Sequence, residues 1–265
     1  MEERKRAEQQ LHNILRSEEL LENKELYEYY YSNKKYYSID SINREYVYQL
    51  LKNRVRGRKV LDYCCGDGRY SFLCAQWGGA CVGIDISDVS IANCKKKCLK
   101  EKSGLKPEFY VMDAEKTQFE DNSFDIIVCM GVLHHLDLKN SYRELWRIIK
   151  PEGEIICTEP LGHNPIIQRY RRATPHLRTK YEAEHILRIE DIRRAEHYFE
   201  TVKTNFFHLA TLAAVPFRRT VVFERILRFL EAIDAVLLKI PLIRTQAWMV
   251  VFKLSRPKKF VKNGS

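Results

Sequence analysis

The sequence predicts a doubly wound α/β domain on a mostly parallel sheet. Three observations carry that expectation. Five apolar runs of strand length alternate with helical patterns between residues 59 and 158. Each run is continuously apolar rather than alternating, as strands covered on both faces require. Glycines and acids stand immediately after the runs, at the strand ends where ligands bind in such sheets.

The elements follow in chain order. Residues 1–24 form a charged helix with a narrow stripe of Leu11, Ile14, Leu15 and Leu21. A tyrosine-dense stretch follows (Tyr27, Tyr29, Tyr30, Tyr31, Tyr36, Tyr37), then a helix pattern from Ser41 to about Asn53. The first strand, 59–63, runs into Gly66-Asp67-Gly68, and a helical stretch continues to Trp77. The second strand is 80–85, and Ser87 can cap a helix reaching Glu101. The third and fourth strands are 108–113 and 124–130. A helix over 138–150 is expected to stop at Pro151 and Gly153, before a fifth strand at 154–158. Residues 199–207 and 246–254 supply two more strands. About 40 residues separate them where a short hairpin would suffice. Within this insert, Phe223, Ile226, Leu230, Ile233, Leu237 and Ile240 form one apolar face.

Composition bounds the function. With 265 residues, 45% hydrophobic and 30% charged, the chain is long enough to bury a core without disulfide or metal staples. No apolar run reaches about 18 residues, so no spanning helix is expected, and the charged start MEERKRAEQQ has no secretory signal. A cytoplasmic protein is expected, with membrane association left open. The net charge of +10 suits anionic partners without choosing among them. All eight cysteines fall between residues 64 and 157, in apolar contexts that suit reduced, buried side chains. Cys94 and Cys98 share a helix face, but no second pair completes a metal site, so no metal is expected.

Four strand ends carry the chemistry. Asp62 precedes Cys64, Gly66 and Gly68, a loop whose glycines let backbone approach a ligand. Asp85, followed by Ile86, can accept both hydroxyls of a ribose. Asp113-Ala114 can take an adenine amine on the carboxylate and a ring nitrogen on a backbone N–H. Met130-Gly131-Val132-Leu133-His134-His135 ends the fourth strand. A nicotinamide site would want a third glycine where Ser71 stands.

Over residues 45–160, these motifs resemble the class I S-adenosylmethionine (SAM) methyltransferases. Within them the chain is most similar to the type 11 group, which includes ubiquinone-biosynthesis-like enzymes. Cys64 replaces the first glycine of that family's loop. The resemblance implies a Rossmann-like sheet of seven mostly parallel strands, with an N-terminal helical cap and a helical insert before the last strand. It divides the chain into a cap (1–45), a SAM-binding core (46–160) and an acceptor-side segment (161–265). It places SAM against Tyr37, Asp62, Cys64, Gly66, Gly68, Asp85, Ile86, Asp113, Ala114 and Met130. It offers His134, His135 and Glu159 as catalytic candidates at the strand mouths. Tyr36, His163, Tyr170, Arg171 and Arg172 are candidates for holding the acceptor, their arginines suiting carboxylate or phosphate.

The expected reaction is methyl transfer to a small organic or lipid-like acceptor, oxygen being favoured over carbon or nitrogen. An anionic acceptor is compatible with the arginines, and residues 213–244 could contact a membrane surface. The prolines and aromatic that follow the fourth strand in nucleic-acid amino methylases are missing, so no nucleic acid is expected. RNA or protein methylation, favoured only by net charge, and a non-catalytic SAM-binding scaffold are the alternatives. A tyrosine lid over residues 27–41 is expected to order on ligand binding. Oligomeric state cannot be read from the chain.

Overall fold

The computed structural model describes residues 2–101, 104 and 107–259. The helices α1 (Glu3–Leu15), α2 (Glu18–Glu22) and α3 (Lys24–Tyr30) lead through a 3-10 segment, Ser32–Ile39, into α4 (Ser41–Lys52). The core then alternates β1 (Lys59–Tyr63), α5 (Arg69–Gln76), β2 (Ala80–Asp85), α6 (Asp88–Lys100), β3 (Glu108–Val111), β4 (Phe124–Met130), α7 (Leu138–Ile148) and β5 (Ile149–Pro160). Three short helices, α8 (Pro165–Ala173), α9 (Lys180–Glu184) and α10 (Ile189–Arg193), precede β6 (Phe199–Phe207). The insert holds a 3-10 segment, Ala210–Phe217, with α11 (Phe223–Leu237) and α12 (Pro241–Arg244), and β7 (Met249–Pro257) closes the sheet.

The strand order is β3-β2-β1-β4-β5-β7-β6. Every pair from β3 to β5 is parallel, and β7 runs antiparallel between β5 and β6. This is the seven-stranded, mostly parallel sheet that the sequence predicts. Successive residues explain the continuous apolar runs. Leu61, Ile127 and Ile155 bury in one core layer, while Val60, Ile126 and Ile156 bury in the other. Cys129 and Cys157 are fully buried in the first layer, and all eight cysteines are free.

The third strand ends at Val111, two residues short of expectation, and three other boundaries differ for reasons the packing shows. The N-terminal helix breaks at Arg16, and Ser17 caps the separate α2 through Leu20 N–H (3.2 Å). The helix after β4 ends at Ile148, and Pro151 and Gly153 lie within β5 instead of stopping the helix. The reason is packing: Ile149 already pairs with Phe124, and its side chain folds against Gly153, where an added Cβ would meet Ile149 Cδ1 at 2.7 Å. The last strand begins at Met249, since Trp248 packs instead beside Ile39 and Leu227.

The insert packs on the body. Leu227 is buried, with Phe223, Ile226 and Leu230 against the same cluster. The buried Asp234 carboxylate accepts bonds from Leu209, Ala210 and Thr211 N–H and from the Thr211 hydroxyl, tying α11 to the preceding 3-10 segment. Among the described residues, no helix is long and apolar enough to cross a membrane.

Candidate active site

The strand ends open onto two adjoining cavities. The smaller, about 230 Å³, is lined by Asp62, Cys64, Gly66, Asp85, Asp113 and Met130, with Ile86 and Ala114 beside them. Eight of the ten residues assigned to the cofactor on sequence grounds are thus named, and all eight converge here. Gly68 lies just behind the wall. It takes a left-handed φ of +75°, and a Cβ there would meet Cys94 Sγ at 2.9 Å. Tyr37 lines the other cavity.

Each carboxylate is locally held. Asp85 accepts from Gly66 N–H (2.9 Å) and Ser87 N–H (2.8 Å), which fixes the glycine loop to the end of β2. Asp62 is buried and accepts from Ser71 N–H (2.8 Å) and hydroxyl (2.7 Å). Burial pushes its carboxyl up to about 7 despite those bonds. Cys64 also takes a left-handed φ, +59°. A non-glycine residue pays about 1–2 kcal/mol for that conformation. Cys64→Gly is therefore expected to raise the melting temperature by about 2 °C, checked by thermal denaturation.

The cover of this cavity is α1, not the tyrosine segment. Lys5 pairs with Asp113 (2.8 Å) and Glu115 (3.0 Å), and Arg4 with Glu115 (2.5 Å). Gln9 donates to the Ile86 carbonyl (2.9 Å), Asn13 to Asp88 (2.8 Å), and the Ser87 hydroxyl to Asn13 (2.6 Å). Glu8, His12 and Arg16 complete the cover. Periodicity shows a helix at this position but not where it docks, so these contacts were not legible in the sequence.

Glu8 is the centre of that docking. It is buried, pairs with His135 Nδ1 (3.0 Å) and accepts from the Thr179 hydroxyl. Burial would lower His135, but the Glu8 bond and the charges of Glu182 and Glu8 outweigh it and leave it raised. Burial would raise Glu8, but its bonds to His135 and Thr179 leave it lowered. Burial and the neighbouring His135, Arg16 and His134 hold His12 well below the usual imidazole value. The stability that His135 lends is present below about pH 6.5 and is lost as pH rises through its raised pKa; that of Glu8 is lost only as pH falls through its lowered one. His12 is neutral from about pH 6.5 upward. Hydrogen exchange corrected for intrinsic rates should show α1 losing protection as pH rises above about 6.5, and His135→Asn should remove that dependence.

The larger cavity, about 690 Å³, lies beside the first and shares His12, Met130, Gly131 and His135 with it. Tyr36, Tyr37, Tyr170 and Arg171 line it, joined by Arg178, Glu182 and Trp248. His163 and Arg172 are outside its wall. His163 Nε2 accepts from Ile189 N–H (3.0 Å), and Arg172 is exposed, donating to the Gln168 carbonyl (3.4 Å).

His134 faces this cavity, and Glu159 holds it from behind. Glu159 is fully buried and lines neither cavity. It accepts from Val132 N–H and Leu133 N–H (both 2.8 Å) and from His134 Nδ1 (2.6 Å). A carboxylate only accepts, so Nδ1 carries the proton and Nε2 is the nitrogen free for chemistry. Nε2 lies 3.8 Å from Glu182. Glu159 thus fixes the orientation of the His134 ring. Glu8, His12 and His135, and likewise His134, His135 and Glu182, place ligand-type atoms within 4.8 Å of one another. Both groups have the donor chemistry for a divalent cation, a juxtaposition that spacing in the chain could not reveal.

The sheet order, the antiparallel β7 and a site at the carboxyl ends of β1, β2 and β4 define a class I methyltransferase fold. Residues 61–157 match the family described as a methyltransferase domain. The chain is 31% identical over 121 residues to a demethylmenaquinone methyltransferase of Lactococcus lactis, covering 44% of this chain and 47% of that protein. It is 32% identical over 131 residues to a ubiquinone biosynthesis O-methyltransferase of Bordetella avium, covering 49% and 53%. The chain thus spans about half the length of the curated relatives it matches. Among solved structures, the PH0226 protein of Pyrococcus horikoshii aligns over 87% of this chain and 99% of its own, with a TM-score of 0.55 and 21% identity. A Haemonchus contortus phosphoethanolamine N-methyltransferase 2 in complex with S-adenosyl-L-methionine aligns over 80% and 53%, with a TM-score of 0.55 and 17% identity. These two likenesses concern the fold.

Proposed function

We propose that the protein is a SAM-dependent methyltransferase acting on a small organic or lipid-like acceptor, with oxygen the favoured atom. The observation that carries this reading is the pair of cavities meeting at Met130, Gly131 and His135, one walled by the glycine loop with two strand-end carboxylates, the other by a histidine hydrogen-bonded to Glu159 and by aromatic rings. The residues fit the cofactor. Asp85 suits the ribose, Asp113 and Ala114 the adenine, and the loop of Cys64 and Gly66 the methionine moiety. When bound, SAM supplies an electrophilic methyl group.

The chain's own residues do the rest. The α1 cover excludes water, and Tyr36, Tyr37 and Trp248 hold an apolar acceptor. His134 Nε2 takes the proton of an acceptor hydroxyl, with Glu159 fixing the ring in the tautomer that can do so. Oxygen is favoured because a held base serves an acceptor that must lose a proton. The test supplies methyl-tritiated SAM with a lipid extract, RNA and bulk protein. Label is expected in the organic phase. Label in RNA or protein would favour those substrates, and no label in any fraction would favour a scaffold.

A lipid-like acceptor also needs delivery. The face of α11 opposite Leu227 carries Phe229 and Val236, in line with Val222 just before the helix, all exposed, and Val221 and Leu242 are 100% and 84% exposed. Arg219, Arg225, Arg228 and Lys239 are exposed among them. Pro216 and Arg218, a few residues before it in the chain, line the larger cavity. Apolar side chains interleaved with cations fit an anionic bilayer surface. Leu242→Asp is expected to reduce co-sedimentation with phosphatidylglycerol vesicles about tenfold, with no change for neutral vesicles.

A further inference from the structure

We infer that the larger cavity contains an anion subsite centred on Arg171, and that the acceptor is an amphiphile bearing a carboxylate or phosphate beside its apolar body. This rests on the acceptor side of the reading above, and it names the substrate class that the reading leaves open.

The cavity wall is unbalanced in charge. Lys35, Arg44, Arg69, Arg171, Arg178 and Arg218 line it, against Asp40 and Glu182. Both acids are already matched. Arg44 pairs with Asp40 at 2.6 Å, and Arg178 with Glu182 at 3.5 Å. Among these cations, Arg171 alone is both buried, at 7% exposed, and without an ion pair among the described residues. Its NH1 donates to the Leu161 carbonyl at 2.9 Å, which supplies a dipole and no counter-charge. Burial, and then the like charge of Arg178, pull it down to about 10, so it remains a cation at neutral pH. A buried guanidinium with five donors and no carboxylate is costly unless an anion from outside completes it.

Neighbouring side chains extend the subsite. Tyr170 and Thr158 both line this cavity, and the hydroxyl of each is buried with no hydrogen-bond partner among the described residues. Buried polar atoms without partners are uncommon in folded proteins. Two of them on the wall that also holds a buried arginine without an ion pair point to a polar ligand group. Planar two-oxygen anions match the arginine fork, with hydroxyls donating to the remaining lone pairs. The rest of the wall, with Tyr36, Ile167, Val215 and Trp248, suits an apolar body. Arg171 is carried by α8, capped by Asn164 on Ile166 and Ile167 N–H, so the guanidinium is offered from a fixed helix.

Trp248 in the wall gives a direct readout. Decanoate, decyl phosphate and decanol, each below its micelle concentration, would be titrated against the full-length protein by tryptophan fluorescence. At least one anion is expected to bind tenfold or more tightly than decanol, and the tighter of the two identifies the anionic group. Arg171→Gln should abolish the preference while leaving decanol affinity within about twofold. Because Arg171 also holds the Leu161 carbonyl, Tyr170→Phe serves as the second variant. It should reduce the preference about threefold with an unchanged melting temperature. Equal binding of all three by the wild type, or a preference surviving in both variants, would overturn the subsite. S-adenosylhomocysteine titrated in parallel separates the two ideas. Its binding without an anion preference removes the subsite alone, whereas an anion preference without its binding removes the methyltransferase reading alone.

Discussion

His134→Asn is expected to lower methyl transfer by about 10²–10⁴-fold, the usual worth of a placed general base. Affinity for S-adenosylhomocysteine should not change, because His134 lines only the larger cavity. Glu159→Gln should give a smaller loss confined to kcat. The amide keeps the volume and one acceptor oxygen, but its NH₂ cannot accept from His134 Nδ1, so the ring is free to adopt the unproductive tautomer. A purely structural Glu159 would instead lower the melting temperature and leave kcat per folded molecule unchanged. Single-turnover rates with an organic-phase acceptor, alongside thermal melts, separate the two.

Asp85→Ala is expected to weaken S-adenosylhomocysteine binding by about 2–3 kcal/mol, roughly 10²-fold, since hydrogen bonds to a buried charged acceptor are lost. Part of the effect is indirect. Asp85 also holds Gly66 and Ser87 N–H, so its removal loosens the loop that faces the ligand. Asp85→Asn retains one acceptor and should fall between wild type and alanine. Asp113→Ala should cost less, because that carboxylate is partly exposed and already paired with Lys5. Calorimetric titration of the three variants gives the ranking.

How much of this was legible in the chain follows from what each feature depends on. The strands were legible because burial on both sheet faces writes itself as unbroken apolar runs, as in residues 124–130 and their split between two core layers. The convergence of eight residues on the smaller cavity was legible because they sit at fixed offsets from strand ends. Tyr37 was misplaced because the 3-10 segment Ser32–Ile39 turns it toward Trp248 (ring centroids 5.7 Å apart), a tertiary contact with no local signal. The docking of α1 was hidden for the same reason, since Lys5–Asp113 and Glu8–His135 join residues more than a hundred positions apart. The roles of His134 and Glu159 could be offered as candidates but not ordered. Only the 2.6 Å contact shows which one faces the cavity and which one holds it. The insert's apolar face was visible, yet packing turned Phe223, Ile226 and Leu230 inward and left Val222, Phe229 and Val236 outside.

SAM is expected to occupy the smaller cavity beneath α1. The direct measurement is calorimetric titration of the protein with S-adenosylhomocysteine, repeated under hydrogen exchange. One site per chain is expected, with protection gained at Gly66, Asp85 and Asp113 and in α1, and little change over residues 27–31. Absence of binding by both S-adenosylhomocysteine and SAM, or protection confined to residues outside that cavity, would contradict it.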